Sequence, residues 1–264
     1  MTDTGRIVAV TGASSGIGLA AARLFRDCGD KVYCLSRTDP KEPGITFIHT
    51  DVTDEASVNA AFGAIGKAEG RIDVLLSNAG IGVSGAAECT TMQDAKRQLD
   101  VNFFGLHACV RAAVPLMRAH GGTILATSSV AAVFAIPFQA FYSASKFAVN
   151  ALVLALANEL KPFNIRVAAI MPGDVKTGFT GARIKAEEDD NYGQSIEKSV
   201  AVMERDEQNG MGPEMIAKRF VALSLKKHPK VLSTVGLQYK FFCFLGKVLP
   251  IRLQNFIVGK MYIK

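Results

Sequence analysis

Near its N-terminus the chain reads Arg6-Ile7-Val8-Ala9-Val10 and passes at once into Thr11-Gly12-Ala13-Ser14-Ser15-Gly16-Ile17-Gly18. This junction leaves few folds open. The apolar, β-branched run predicts a short buried strand. Residues 17 to 28 carry apolar side chains at helical spacing and stop at Gly29, so a helix follows the glycine turn directly. Glycines let a backbone approach a pyrophosphate closely, and a helix N-terminus offers free N–H groups and the positive end of its dipole. The spacing is Gly-x3-Gly-x-Gly, which differs from the Gly-x-Gly-x-x-Gly dinucleotide fingerprint. Alone, the loop reads equally well as a tight turn.

The rest of the chain repeats the alternation. Short β-rich runs near 6 to 10, 31 to 35, 45 to 49, 72 to 76, 122 to 127, 165 to 171 and 231 to 235 are separated mostly by helical stretches. That pattern predicts an α/β fold built on a doubly wound parallel sheet. At 264 residues, 49% of them hydrophobic, the chain can bury a large core as one domain, and no linker or repeat divides it. Ligands of such sheets lie beyond the carboxyl ends of the strands. Gly12, Ser36, Asp51, Asn78, Ser129 and Pro172 all fall at or just after those ends.

Chemistry is written in Ala140-Phe141-Tyr142-Ser143-Ala144-Ser145-Lys146, with Ser129 thirteen residues upstream of Tyr142. A phenol at i and an ammonium at i+4 share one helix face. The positive charge is expected to lower the phenol's pKa and make Tyr142 a proton donor and acceptor. In isolation such a pair is an ordinary exposed polar couple; here it accompanies the glycine loop.

Together these segments resemble the short-chain dehydrogenase/reductase family in its common single-domain form, to about residue 236. The resemblance implies a Rossmann-like fold in which Gly12, Ser14, Ser15, Gly16, Ile17 and Gly18 form the cofactor loop. It makes Asp51 and Val52 the adenine contact and Asn78-Ala79-Gly80 the support of the central sheet. Pro172, Gly173, Val175 and Thr177 match the segment beside the nicotinamide. Asn102, Ser129, Tyr142 and Lys146 fall on the four catalytic positions. Tyr142 would pass the proton, Ser129 would orient the carbonyl, Lys146 would hold the nicotinamide ribose, and Asn102 would hold a water leading to the lysine. An alternative for Asn102 is an amide that caps a local helix distortion. Ser77 departs from the pattern, where an Asn is more usual.

Ser36 occupies the end of the second predicted strand, where an acid would accept both ribose hydroxyls of NAD, and Arg37 follows it. A guanidinium suits a 2'-phosphate by charge and fork geometry, so NADP is expected over NAD. Cys28, Cys34, Cys89, Cys109 and Cys243 show no Cys-x-x-Cys pair and read as free thiols in a reducing compartment. His49, His107, His120 and His228 have no ligand spacing, so no metal is expected. The first strand starts too early for a signal peptide, and a cytoplasmic protein is expected. Within the family a homo-oligomer, dimer or tetramer, is also expected, with no nucleic-acid partner.

Residues 174 to 212 fall where the family places a substrate lid. They include the run Glu187-Glu188-Asp189-Asp190, read as solvated surface. Val130, Val133, Phe134, Ile136, Phe138 and Phe179 near the pocket mouth favour a lipophilic substrate. The chain resembles family members that act on hydroxysteroids or retinoids, so a hydroxysteroid-like ketone or alcohol is expected. Two alternatives stand: a 3-oxoacyl thioester reductase docking an acidic carrier protein, and a non-catalytic NADP-binding regulatory protein. From Met211 onward ten Lys and Arg face one acid, Glu214, a sum of +9 in a chain of net +6. Within this stretch residues 237 to 264 form an apolar, basic extension without 18 consecutive apolar residues, too short to span a bilayer. Pro250 is expected to open a last helix with Leu253, Phe256, Ile257 and Met261 on one face. The extension is expected to pack on the enzyme, walling the substrate pocket or a subunit interface, or also to dock the enzyme reversibly on a membrane.

Overall fold

A computed structural model of the protein describes residues 5–186 and 190–263. The acidic run at 187–190 therefore lies outside the described residues, apart from the backbone of Asp190. Seven parallel strands form the main sheet in the order β3 (Ile45–His49), β2 (Lys31–Ser36), β1 (Ile7–Thr11), β4 (Val74–Ser77), β6 (Gly122–Thr127), β7 (Ile165–Met171) and β9 (Leu232–Thr234). All pairings between neighbours are parallel. Chain order reverses between β1 and β4, which puts a crevice at the carboxyl ends of those two strands. Every predicted strand is present to within two residues at either end.

The central strands are buried on both faces, which is why they read as unbroken apolar runs. One face carries α2 (Glu55–Glu69), α4 (Gly105–Met117) and α5 (Ala140–Glu159), whose Phe62, Cys109, Met117, Val149 and Val153 pack with Leu75 and Ile124. The other face carries α1 (Gly16–Asp27) and α7 (Pro213–Ser224), where Phe25 and Phe220 are fully buried with Val10, Leu76 and Leu125. Truncating either phenylalanine to Ala would cost about 3–5 kcal/mol. Helix α5 is long and apolar enough by length and composition to cross a membrane; Val149, Val153 and Leu156 set one side of it in the core, while Phe147 and Leu154 stand exposed on another.

Between β4 and α4 the chain forms a two-residue strand β5 (Val83–Ser84) and α3 (Met92–Leu99), capped by Thr91 Oγ1 accepting from the Asp94 amide at 3.1 Å. α3 runs into α4 through a π-helical turn, Asp100–Phe104. Three devices hold the described parts of the segment expected to be a lid. β8 (Ile184–Lys185) pairs with β5, Val175 bridges Met211, and α6 (Ser195–Gln208) follows. The C-terminal extension forms α8 (Leu237–Val248) and α9 (Ile251–Tyr262), with Pro250 at the N-cap of α9 as expected. Tyr239, Cys243, Gln254 and Val258 face inward, and α9 packs against α6. Gln254 Nε2 donates to the carbonyls of Gly246 (3.1 Å) and Leu249 (2.7 Å), closing the two helices into a hairpin.

Candidate active site

A cleft of about 1210 Å³ runs along the carboxyl ends of the strands. Every residue given a catalytic or cofactor-binding part from the sequence lines it except Gly18 and Asn102. At one end the β1–α1 turn takes the shape the glycines allow. Gly12 (φ 62°) and Gly16 (φ 53°) occupy left-handed backbone, and a Cβ on Gly18 would lie 2.4 Å from the Gly12 carbonyl. Ser15 caps α1 without a side-chain bond and the first turn holds no acid, so its N–H groups remain available to an anion. Asn78 fixes the turn to the sheet. Its side chain donates to the carbonyls of Thr11 and Gly12, both at 3.3 Å, and accepts from Thr127 Oγ1 at 3.0 Å. Thr11 Oγ1 in return accepts from the amides of Asn78 (2.9 Å) and Ala79 (3.1 Å).

Farther along, Ser36 is buried and donates to the Thr38 carbonyl at 2.7 Å, while Arg37 is exposed at the cleft edge. Asp51 Oδ1 accepts from Thr53 N (2.9 Å) and Oγ1 (2.8 Å). Burial pushes the Asp51 carboxyl up, but the bonds to Thr53 and the charges of Arg37 and His49 outweigh it and hold the group below the usual carboxylate range. The carboxylate thus feels the Arg37 guanidinium from the next strand. Backbone cradle, helix terminus, carboxylate and free cation fit an adenine dinucleotide.

At the centre, α5 presents Tyr142 and Lys146 on one face. Lys146 Nζ sits 5.6 Å from the Tyr142 ring centroid and donates to the Thr127 carbonyl at 2.9 Å. Burial lowers Lys146 to about 8. Burial likewise raises Tyr142 to about 12, opposed by a hydrogen bond with Ser129, which stands beside the phenol. This differs from the expectation that the ammonium lowers the phenol. Lys146 is buried and Tyr142 half-buried at the cleft wall, and desolvation drives each toward its neutral form. Ser129 is held as the cap of a 3₁₀ turn, its Oγ accepting from the Ala131 amide at 3.1 Å.

Asn102 lies in the π-helical turn, 3% exposed, and both atoms of its amide are engaged. Oδ1 accepts from Ile81 N at 2.8 Å; Nδ2 donates to Ile81 O at 3.1 Å and Ser145 Oγ at 3.0 Å. The helix distortion considered from the sequence is therefore present, and the amide side chain ties it to α5 one residue before Lys146. Gly80 separates the two groups: a Cβ there would come within 3.3 Å of Asn102 Oδ1 and 3.7 Å of Lys146 Nζ.

The far end is apolar. Val130, Phe134, Ile136 and Phe179 line it as expected, and the Phe179 ring lies 5.8 Å from that of Tyr142. Val133 and Phe138 do not line it. Val133 packs beneath Gly246 of α8, and Phe138 (φ 59°) turns edge-on to Tyr192 at 5.8 Å. Phe242, Leu245, Ile257 and Met261 from the C-terminal hairpin complete the chamber. Tyr239 was not singled out from the sequence. Its ring covers Gly173, where a Cβ would fall 2.1 Å from it, and its hydroxyl donates to Asp174 Oδ2 at 2.6 Å. Burial, with Asp206 and Glu207 nearby, raises the Asp174 carboxyl against that bond. Asp174 directly follows Pro172-Gly173 and could have been suspected; Tyr239, 65 residues away, carried no local signal. Arg183 pairs with Glu207 at 2.5 Å and bridges the 174–186 segment to α6.

Known proteins match this arrangement. The chain is 39% identical over 236 residues to 3-ketodihydrosphingosine reductase of Bacteroides thetaiotaomicron, covering 88% of each. A crystal structure of a short-chain dehydrogenase from Streptomyces avermitilis superposes with TM-score 0.87 at 27% identity, covering 98% of both chains. A 3-ketoacyl-(acyl-carrier-protein) reductase from Brucella melitensis, solved with NADH, superposes with TM-score 0.74 at 25% identity over 88% of this chain and 97% of its own. The family model described as short chain dehydrogenase matches residues 6–188, from the first strand through α5 and beyond β8. The chain belongs to the short-chain dehydrogenase family of oxidoreductases.

Proposed function

We propose that the protein is an NADP(H)-dependent reductase of a ketone carried on a long lipophilic substrate. The observation that carries this reading is the cleft itself, polar and cationic at the Arg37 end and walled by α8 and α9 into an apolar chamber beside Tyr142. The 39% identity to a 3-ketodihydrosphingosine reductase favours a long-chain amino ketone over the hydroxysteroid that the apolar lining alone suggests. Ser36 and Arg37 support NADP over NAD, because a buried serine and a free guanidinium suit a 2'-phosphate.

Bound nicotinamide would supply the hydride. The residues do the rest. Ser129 and Tyr142 would both face the carbonyl oxygen, so that the negative charge that builds there meets two donors. Tyr142, held protonated by burial, would give its proton to that oxygen. Lys146 would bind the ribose beside it, and Asn102 would hold the helix geometry that aims α5. The exposed Phe147 and Leu154 on α5, together with Phe104, offer an apolar face for the expected homo-oligomer.

Consumption of NADPH with a long-chain 3-keto sphingoid base, a steroid ketone and a 3-oxoacyl thioester, each repeated with NADH, tests the proposal. Turnover of the sphingoid base with NADPH preferred supports it. Preference for the thioester or the steroid overturns the substrate, equal use of NADH overturns the cofactor, and cofactor binding without turnover of any of the three makes the chain a binding protein.

A further inference from the structure

The C-terminal hairpin presents two unlike faces. Its inner face, with Tyr239, Phe242, Leu245, Ile257 and Met261, lines the cleft. Its outer face is apolar as well, which a surface in water does not need. Eleven of the eighteen exposed large hydrophobic side chains among the described residues fall within 237–263. On α8, Leu237, Phe241, Phe244 and Val248 stand at i, i+4, i+7 and i+11, one continuous face, at 83%, 58%, 57% and 55% exposure. Ile251 and Phe256 carry the row onto α9. A contiguous row of this kind marks an interaction surface.

Charge selects the partner. The two helices hold Lys240, Lys247, Arg252 and Lys260 and no acid, so the hairpin is +4. Lys260 Nζ lies 5.9 Å from the Phe256 ring, setting a cation beside the apolar row. A second copy pairing through this face about a twofold axis would oppose +4 with +4. An anionic lipid surface instead accepts both features, rings entering the acyl boundary while cations meet headgroups. Each helix has 12 residues, about 18 Å of rise, short of the roughly 30 Å hydrocarbon thickness. Such helices lie along a membrane.

We infer that the outer face of the α8–α9 hairpin docks the protein on an anionic bilayer, with the mouth of the substrate cleft against the docked surface. Phe242, Ile257 and Met261 line the cleft while remaining exposed, so one rim serves both the chamber and the lipid. A lipophilic molecule could then enter without crossing water. Docking goes beyond the proposed reaction, and its test needs neither substrate nor cofactor.

The full chain is sedimented with phosphatidylcholine vesicles with and without phosphatidylglycerol. It is expected to pellet with the anionic vesicles at low salt and stay in the supernatant with neutral ones. Phe241→Ser with Phe244→Ser should abolish pelleting. Should that variant not fold, as read by its thermal melt, Lys240→Gln with Lys247→Gln replaces it, with partitioning weakened roughly fivefold per cation removed. Sedimentation velocity without lipid is run alongside. The inference is overturned if the intact protein ignores anionic vesicles, if the folded variants pellet as the parent does, or if they change oligomeric state, which would make this face a contact between copies.

Discussion

The two ends of the cleft are built by different means. The nucleotide end is made of strand termini and the turns that leave them, so the sheet places Gly12, Ser36, Asp51 and Asn78 within one crevice through local, repeated geometry. The substrate end is made of helices from the last third of the chain laid over the sheet, held by single contacts such as Tyr239 to Asp174 and Arg183 to Glu207. The family match, residues 6–188, takes in the first construction, while the C-terminal helices of the second lie outside it.

Substitutions at the two ends should therefore separate cleanly. The largest effect is expected at their junction: Tyr142→Phe should lose about three or more powers of ten in kcat/KM, with cofactor affinity and thermal stability kept, since only the proton donor goes. Near-parental turnover would show that another group protonates the product. Next, Lys146→Met should inactivate the enzyme yet stabilise it at neutral pH. The parent lysine falls from 10.5 to about 8 on folding, so its unfolded form binds more protons between those values and parent stability rises with pH across that window. The variant's advantage, on the order of 3 kcal/mol at most less about 1 for the Thr127 carbonyl's lost partner, should shrink as pH climbs from about 8 and turn into a disadvantage of about 1 kcal/mol above about 10.5. Denaturant titrations at pH 7 and 10 read it; an advantage that ignores pH would place the lysine's cost elsewhere.

Arg37→Ala probes the nucleotide end alone. NADPH binding should weaken roughly tenfold to hundredfold with NADH unchanged, as for a lost charge-assisted bond of about 1.5–3 kcal/mol. Equal loss for both would make Arg37 structural. The smallest effect is expected from Tyr239→Phe at the substrate end. Losing one hydrogen bond to Asp174 should raise KM for the lipophilic substrate up to about tenfold and leave cofactor affinity alone. A drop in NADPH affinity of the same size would erase the separation, because Tyr239 also covers Gly173.

The same division decided what the sequence disclosed. Strands of the sheet are apolar on both faces and bounded by Gly, Asp and Asn, so each was legible within two residues, and so were the polar groups at their ends. Pro250 announced α9 through its own backbone preference. Long-range partners left no such trace. Val133 and Phe138 are as apolar as Phe134, and only tertiary packing beneath α8 and beside Tyr192 removes them from the chamber. The direction of the Tyr142 shift was likewise invisible, because sequence shows the charge four residues away but not the enclosure that desolvates both groups.

The π-helical turn at Asp100–Phe104 bears on how such a chain can drift over generations. A helix that continued straight from α3 into α4 would need one residue fewer and would bond every carbonyl in the ordinary pattern. Deleting a residue there would thus be favoured by local helix energetics, yet it would swing whatever precedes the deletion by about 100° around the axis and pull the Asn102 amide off Ile81 and Ser145. Insertions and deletions should be tolerated at the outer loops and purged from these five positions, so the reading frame of one helix is a more sensitive record of retained catalysis than the identity of most residues in it.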